Sequence, residues 1–294
     1  MSCEFARFTP INTLLTADLS TTNPLFTGFG IDEIKDYRRN SIIRSQTATG
    51  YPTPPYTDTP DIEILATWDT SQKANSIGIF WKNFTVGAKN RLILYDGINQ
   101  TGDIVYDSGE IEALKYKNIL ELDFLIDPVI ATFDYGDNDL GKNTDWQFNT
   151  TIFQSAKIIL SNPTNTYGYI DINTVFLGLS IETSNYNFDT GAVWTAIDTT
   201  THITTADGST VPIKGVQGQE ININWSYLTM ADRNLITQKI IQKNGMYVAV
   251  MVDVYPNRDT TLRSQHFGIY LLKVMPGVSL NTQLSTIGLN MIMV

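Results

Sequence analysis

The chain has 294 residues, a net charge of −10, 42% hydrophobic residues and only 17% charged ones. That is enough apolar material for one large β domain or two ordinary ones, and it excludes disorder of the whole chain. The acidity and the lack of a basic run exclude a protein that tracks a phosphate backbone, so no nucleic-acid partner is expected. No run of ~18 apolar residues is present to cross a membrane as a helix, so no membrane partner is expected either.

The charge missing relative to the ~25% of typical soluble domains is replaced by Thr, Asn, Ser and Gln. Such a surface suits packing against neighbouring subunits or contact with carbohydrate. The only basic grouping, Lys35, Arg38, Arg39 and Arg44, is interrupted by acids and reads as a solvated face. Cys3 is the one cysteine, so no internal disulfide can form. The opening MSCEFARFTP lacks the charged-then-apolar pattern of a signal peptide. Together these give the expectation of folding in a reducing cytosol.

In chain order, residues 1–60 read as an N-terminal arm and a proline-rich connection. Phe5, Phe8, Leu14, Leu15, Leu19 and Phe26 are anchors without periodicity, and Asn12–Leu15 is expected to start a short strand. Prolines 52, 54, 55 and 60 forbid helix or central strand. The arm either lies on the following domain or docks on a neighbouring subunit. If it docks, removing the residues before Tyr56 should leave a folded monomer that no longer assembles.

Residues 61–193 read as an antiparallel β-sandwich of the jelly-roll type. Strands are expected at Ile62–Trp68, Ile77–Trp81, Arg91–Tyr95, Asp103–Tyr106 and Leu120–Ile126, with turn signals about every 8–12 residues. The stretch Lys157–Leu179 supplies two more apolar runs around a polar crossing, with Gly168 placed to take positive φ. Residues 194–294 read as a small α+β module. Asp207-Gly208 is a hairpin turn, and strands are expected at Glu220–Trp225, Met246–Tyr255, His266–Val274 and Leu289–Val294. Its single helix starts at the N-cap Thr229, carries Asp232 in its first turn and stops at Asn244-Gly245. The fold class is therefore mainly β, a sandwich plus an α+β module with one helix.

The residue types that carry chemistry are sparse. Asp134–Asp139 offers several carboxylates to a calcium ion but lacks EF-hand spacing, which favours a solvated loop. His202 and His266 have no third ligand nearby, and Ser264 beside His266 lacks a nucleophile elbow. Asp61, Glu63, Glu110, Glu112, Glu121 and Asp123 are acids with no sign of facing one another across a cleft. Gly28-Phe29-Gly30 does not lead from a strand into a helix, as a phosphate loop would. The expectation is no catalytic, cofactor-binding or metal site, and no enzyme.

Residues 157–179 resemble discoidin-like (galactose-binding-like) jelly rolls of tailed-bacteriophage virions. The matching positions are Asn162-Pro163, Asn165, Gly168-Tyr169-Ile170-Asp171-Ile172 and Phe176-Leu177-Gly178, with Tyr106–Gly109 upstream. The downstream module, with Asn224–Thr229, Gly245–Val248, Asp253–Pro256 and Gln265–Gly268, is similar to the C-terminal part of such tail proteins. The resemblance implies a structural virion protein of the tail, neck or baseplate, localised to the virion after folding in the host cytoplasm. Its implied partners are other virion proteins and further copies of itself in a ring. The alternative is a carbohydrate-binding module of a receptor-binding or adhesion protein, with a glycan partner. Tyr135, Trp146, Tyr167 and Tyr186 are then the aromatics to test, and Trp146 with Phe148 reads more naturally as core.

Overall fold

The structure is a computed structural model that describes residues 6–37, 41–45, 61–81, 83, 87–113, 143–163, 168–183, 193–198, 200–204, 209–213, 217–254, 256, 267–280 and 285–293. The expected strand at Leu120–Ile126, the proline-rich 51–60 and the acidic 134–139 lie outside these residues. The first strands are β1 (Arg7–Thr9), β2 (Asp18–Thr21), β3 (Ile43–Arg44), β4 (Ile62–Trp81), β5 (Lys89–Tyr95), β6 (Ile104–Asp107), β7 (Ile111–Glu112), β8 (Asn143–Ser161) and β9 (Asp171–Gly178). They are followed by β10 (Ile181–Glu182), β11 (Val193–Asp198), β12 (Thr201–Thr204), β13 (Thr210–Ile213), β14 (Gln217–Leu228), β15 (Val250–Asp253), β16 (Phe267–Leu272), β17 (Val278–Leu280) and β18 (Ser285–Met293). Among the described residues the one α-helix, α1 (Met230–Ile236), runs on as a π-helical turn over Thr237–Gln242. The mainly β class, the antiparallel sandwich and the single helix agree with the sequence reading.

Contacts divide the chain into two compact units. The sandwich unit holds Ile11–Ser180 with Asn257–Phe267, and the terminal unit holds Met1–Pro10, Ile181–Pro256 and Gly268–Val294. This division differs from boundaries at 60/61 and 193/194. The opening segment does not behave as one arm: residues 6–10 belong with the C-terminal part, and the described residues from Ile11 to Ser45 belong with the sandwich.

In the sandwich unit, β4 serves both layers. Its first half pairs with β2 on one edge and with the second half of β8 on the other. Its second half pairs with β9 and with the first half of β8. Register shifts between Thr67 and Gln72 and between Ala74 and Ser76 separate the halves, and such irregularities let a strand bend. The polar run Asp69–Lys73, which interrupts the hydrophobic alternation, is this largely exposed bend, so the two expected strands are one. Pairing of β8 with β5, and of β5 with β6 and β7, extends one layer; β3 pairs with β9 in the other. Alternate residues of both halves of β4, from Ile62, Ile64 and Ala66 to Ile77 and Ile79, join one core with Leu92, Ile158, Leu160, Ile172 and Leu177.

Three residues of the supposed arm, Leu14, Ile34 and Ile43, are fully buried members of the same core. Asn12–Leu15 is not a strand start, because Thr13–Thr16 forms a 3₁₀ turn with Asn12 as its cap. The cause is Asn12 itself, whose side chain competes for the backbone. Its Oδ1 accepts from Leu14 N at 3.2 Å and from Leu177 N at 3.1 Å, while its Nδ2 donates to Val175 O at 2.9 Å. Thr13 Oγ1 donates to Leu177 O at 2.8 Å, and Trp68 Nε1 donates to Thr13 O at 2.8 Å.

The terminal unit has a sheet of order β10-β1-β15-β16-β18-β14-β11, with β17 on β18. In β14 and β18 the buried residues alternate and meet as the cross-strand pairs Ile221–Met291, Ile223–Leu289 and Trp225–Ile287. Phe8 of β1 closes on Trp225 with ring centroids 5.7 Å apart. Ile236, Ile240 and Ile241 of the helix join this core, so the helix covers one face of the sheet. Thr229 caps the helix as expected, its Oγ1 accepting from Asp232 N at 3.2 Å, and Gly245 ends it at φ +56°. The strand expected from Met246 begins only at Val250, because Gly245–Tyr247 forms the turn that leaves the helix.

The burial of Leu14 overturns the truncation expectation. Removing the residues before Tyr56 should leave an unfolded or aggregating chain rather than a folded monomer. Leu14→Ala alone should cost about 2–5 kcal/mol of stability, measured by denaturant unfolding of the full chain. A change below about 1 kcal/mol would contradict this packing of the opening segment.

Candidate functional site

Four residues of the pattern quoted above, Asn162, Tyr169, Ile170 and Asp171, meet in one polar cluster at the start of β9. Gly168 has φ +72°, the left-handed conformation expected of it. The turn it makes sets Tyr169, Ile170 and Asp171 against β3 and the residue that follows it. Ser45 N donates to Ile170 O at 3.0 Å, and Ile170 N donates to Ser45 Oγ at 2.8 Å. Arg44 forms a two-pronged pair with Asp171, Nε to Oδ1 at 2.7 Å and Nη2 to Oδ2 at 2.6 Å. Its guanidinium lies 4.1 Å from the Tyr169 ring centroid and 5.1 Å from that of Phe29. The hydrogen bond to the Asp171 carboxylate raises the Arg44 pKa further above its ordinary value.

Asn83 binds the cluster from the other side. Its Nδ2 donates to Tyr169 O at 2.9 Å, its Oδ1 accepts from Asp171 N at 2.7 Å, and its carbonyl accepts from Asn162 Nδ2 at 3.2 Å. Asn162, Tyr169 and Asp171 are thus explained by the strand geometry they hold. Asp171 is buried, and its carboxylate is engaged by Arg44.

The other sequence candidates are dispersed. Glu63 is held by Lys157 at 2.8 Å and by the Thr22 hydroxyl at 2.8 Å. Burial works against its ionised form, but these two partners keep the carboxyl below its ordinary pKa. Glu110 pairs with Lys89 at 2.5 Å, and Glu112 lies on β7. Asp61 is exposed, and its carbonyl accepts from Asn23 Nδ2. Lys35 is tied to Ala17 O and Asp32, each at 2.9 Å, and Arg44 to Asp171, so neither projects as part of a basic patch. Among the described residues no group of three or more His, Cys, Asp or Glu could hold a metal ion. No helix among them is long and apolar enough to cross a membrane. Glu121, Asp123, Asp134–Asp139, Ser264, His266, Arg38 and Arg39 lie outside the described residues.

Of the four aromatics singled out for a glycan, only Trp146 is described, and it is buried in the sandwich core. It offers no open ring face, and the core reading of Trp146 holds. Phe148, half-buried, stacks on Tyr106 with ring centroids 4.4 Å apart. Tyr135, Tyr167 and Tyr186 lie outside the described residues. The sandwich unit shows another aromatic to solvent: Phe26, 40% exposed, meets Phe29 edge-on at 6.2 Å.

A surface feature for which the sequence reading gave only a hairpin turn at Asp207-Gly208, outside the described residues, is a β-ribbon. Strands β11 and β14 pair from Val193–Asn222 to Asp198–Gln217. Beyond that pair the same two segments pair again as β12 and β13, from Thr201–Ile213 to Thr204–Thr210. This second ladder forms a separate two-stranded sheet. All eight of its residues are exposed, including Ile203 at 50%, Val211 at 48% and Ile213 at 50%. Ile203 pairs directly with Val211, and Ile213 lies two residues on, so the three share one face. His202 sits on the other face and belongs to no metal-ligand group among the described residues. The alternation of Ile203, Val211 and Ile213 with polar residues was the available signal; it reads equally as a half-buried strand.

The Arg44–Asp171 pair is tested by a double-mutant cycle on stability. Arg44→Ala and Asp171→Ala should each cost about 1–3 kcal/mol, with a favourable coupling between them. Arg44→Lys should recover only part, since an ammonium cannot reproduce the two-pronged, stacked geometry. Full recovery by Lys would contradict the role given to the guanidinium plane.

No family profile matches the sequence, and no curated protein matches it. Among solved structures, the chain is similar to chitosan-binding module 1 from a chitosanase/glucanase of Paenibacillus sp. IK-5, at 10% identity and a TM-score of 0.35, over 57% of this chain and 98% of that one. It is similar to a Streptococcus pneumoniae fucose binding module, at 11% identity and a TM-score of 0.36, over 57% and 94%. It is also similar to the family 32 CBM from C. perfringens NanJ in complex with galactose, at 12% identity and a TM-score of 0.37, over 59% and 99%. The fold assignment above stands on the strand pairing and cores of this chain itself.

Proposed function

We propose that this protein is a structural assembly component that acts through protein–protein contacts rather than by catalysis. Its setting is the one the sequence resemblance implies, the tail, neck or baseplate of a tailed-bacteriophage virion, with folding in the host cytoplasm. Its partners are other virion proteins and further copies of itself.

The observation that supports this reading is the β12–β13 ribbon. A lone two-stranded ribbon is marginal in water, and its outer edges present unpaired backbone groups. Here it also exposes three aliphatic side chains on one face. Covering that face removes both liabilities. Burying an aliphatic side chain contributes about 1.5–3 kcal/mol.

The test is sedimentation velocity on the full chain and on an Ile203→Asp/Val211→Asp variant. The variant should keep the wild-type melting temperature, since neither side chain is in a core, and should lose self-association or partner binding by at least about 100-fold. Unchanged association in a folded variant would contradict the reading.

A second reading, carbohydrate binding, is favoured by the exposed Phe26 edge-on to Phe29 beside Arg44. An aromatic with open face area next to polar groups suits a sugar ring. A glycan array probed with the labelled chain should be silent under the assembly reading. A sugar-specific signal abolished by Phe26→Ala would establish the second reading instead.

A further inference from the structure

Resting on the assembly reading, we propose that the outer face of α1 and its π-helical continuation in one copy docks on the acidic corner at the β4 bend of a second copy of this chain.

The helix face has the make-up of a contact surface. Its inner side is spent on the core through Ile236, Ile240 and Ile241. Its outer side shows Asn234, Gln238, Lys239, Gln242 and Lys243 to solvent. Large exposed side chains bracket it, Tyr227 and Met230 at the start, Met246 and Tyr247 at the end, with Tyr247 80% exposed. The helix sets these two pairs about 20 Å apart. Tyr and Met are enriched where proteins meet, and a polar surround is the usual setting for such anchors.

Charge selects the occupant. From Tyr227 to Tyr247 the only acid is Asp232, which is buried and accepts from Thr229 Oγ1 at 2.9 Å. Arg233, Lys239 and Lys243 make the stretch basic, and neither lysine is taken up by an ion pair among the described residues. The chain as a whole has a net charge of −10, and most of its acids fall in the sandwich unit. At one corner of that unit Asp18, Asp69, Asp96 and Asp103 are all exposed. Strand register gathers them: Asp18 pairs with Thr67, two residues before Asp69. The β5–β6 loop that carries Asp96 and Asp103 rests on the same stretch. Its Gln100 Nε2 donates to Ala66 O at 3.3 Å, and its Asn99 Oδ1 accepts from Thr67 Oγ1 at 3.3 Å. Lys73, on the same bend, offsets one of the four charges. Aliphatic anchors are present here too, Ile98 between the loop acids at 48% exposed and Ile152 opposite Lys73 at 54%.

Opposite charge steers a basic face onto an acidic corner, while acidic surfaces elsewhere on two copies repel. The two surfaces differ, so the contact is heterologous. Each copy gives a helix face and receives one, which closes a ring or continues a filament.

The experiment compares two full-length variants with the wild type by sedimentation velocity. One reverses the helix face, Lys239→Glu with Lys243→Glu; the other reverses the corner, Asp69→Lys with Asp103→Lys. Asp96 is kept, because its Oδ1 accepts from Asp103 N at 2.7 Å. Circular dichroism and the melting temperature establish that each variant is folded. Each variant alone should self-associate about tenfold or more weakly than the wild type, and added salt should weaken the wild type in the same direction. An equimolar mixture of the two should associate again, since each reversed surface then faces opposite charge. One chain carrying all four substitutions should do the same. A mixture no stronger than its separate components, with an associating wild type, would overturn this pairing and leave the assembly reading standing. Loss in the helix variant with none in the corner variant would overturn the corner as the acceptor. A wild-type chain that stays monomeric at every concentration would overturn the self-contact, and the ribbon variant's partner binding then decides the assembly reading separately.

Discussion

One buried amide holds the sandwich unit together. Asn12 presents an acceptor to Leu177 N and a donor to Val175 O, which is what a neighbouring strand would offer β9. Thr13 continues the substitution at Leu177 O and in turn accepts from Trp68 Nε1. Side chains thereby close the outer edge of β9 beyond the two residues that β3 covers. Without them, backbone groups inside the fold would go unpaired, at about 1–3 kcal/mol each. Leu14, next in the chain, is carried into the core by the same turn. The bend of β4 can then place both layers around Trp68 and Phe153, whose rings meet edge-on at 5.2 Å.

This closure gives the remaining edges their meaning. The sandwich satisfies β9 with Asn12 and Thr13, and β3 holds the strand's start through Arg44 and Ser45. By contrast, the β12–β13 ribbon exposes Ile203, Val211 and Ile213, and β6 exposes Ile104 and Val105. That contrast supports assembly over a self-contained binding module.

Much of the fold was legible because it obeys local rules. The alternation of Ile62, Ile64 and Ala66, the cap at Thr229, the stop at Gly245 and the positive φ at Gly168 each follow from one residue's chemistry. The long-range substitutions were not legible. Nothing local marks Asn12 as a surrogate for a strand 163 residues away, and the polar Asp69–Lys73 looked like a boundary when it is a bend. The opening segment lacked periodicity because its anchors serve two different cores: Phe8 in one, Leu14, Ile34 and Ile43 in the other. The family-like residues around Asp171 turned out to hold β3, a structural duty that fits a pattern carrying fold rather than chemistry. The hairpin turn at Asp207-Gly208 was legible, but the exposure of the strands on either side was not, because an exposed aliphatic strand and a half-buried one share a sequence pattern.

Hydrogen exchange of the ribbon amides in the wild-type chain, followed by mass spectrometry across a range of protein concentrations, tests the central claim most directly. Unpaired edge amides of β12 exchange rapidly in a monomer and slowly once a partner strand covers them. The account requires protection at Thr201–Thr204 that rises with concentration. Rapid exchange of the ribbon at every concentration, with a steady monomeric mass, would contradict it.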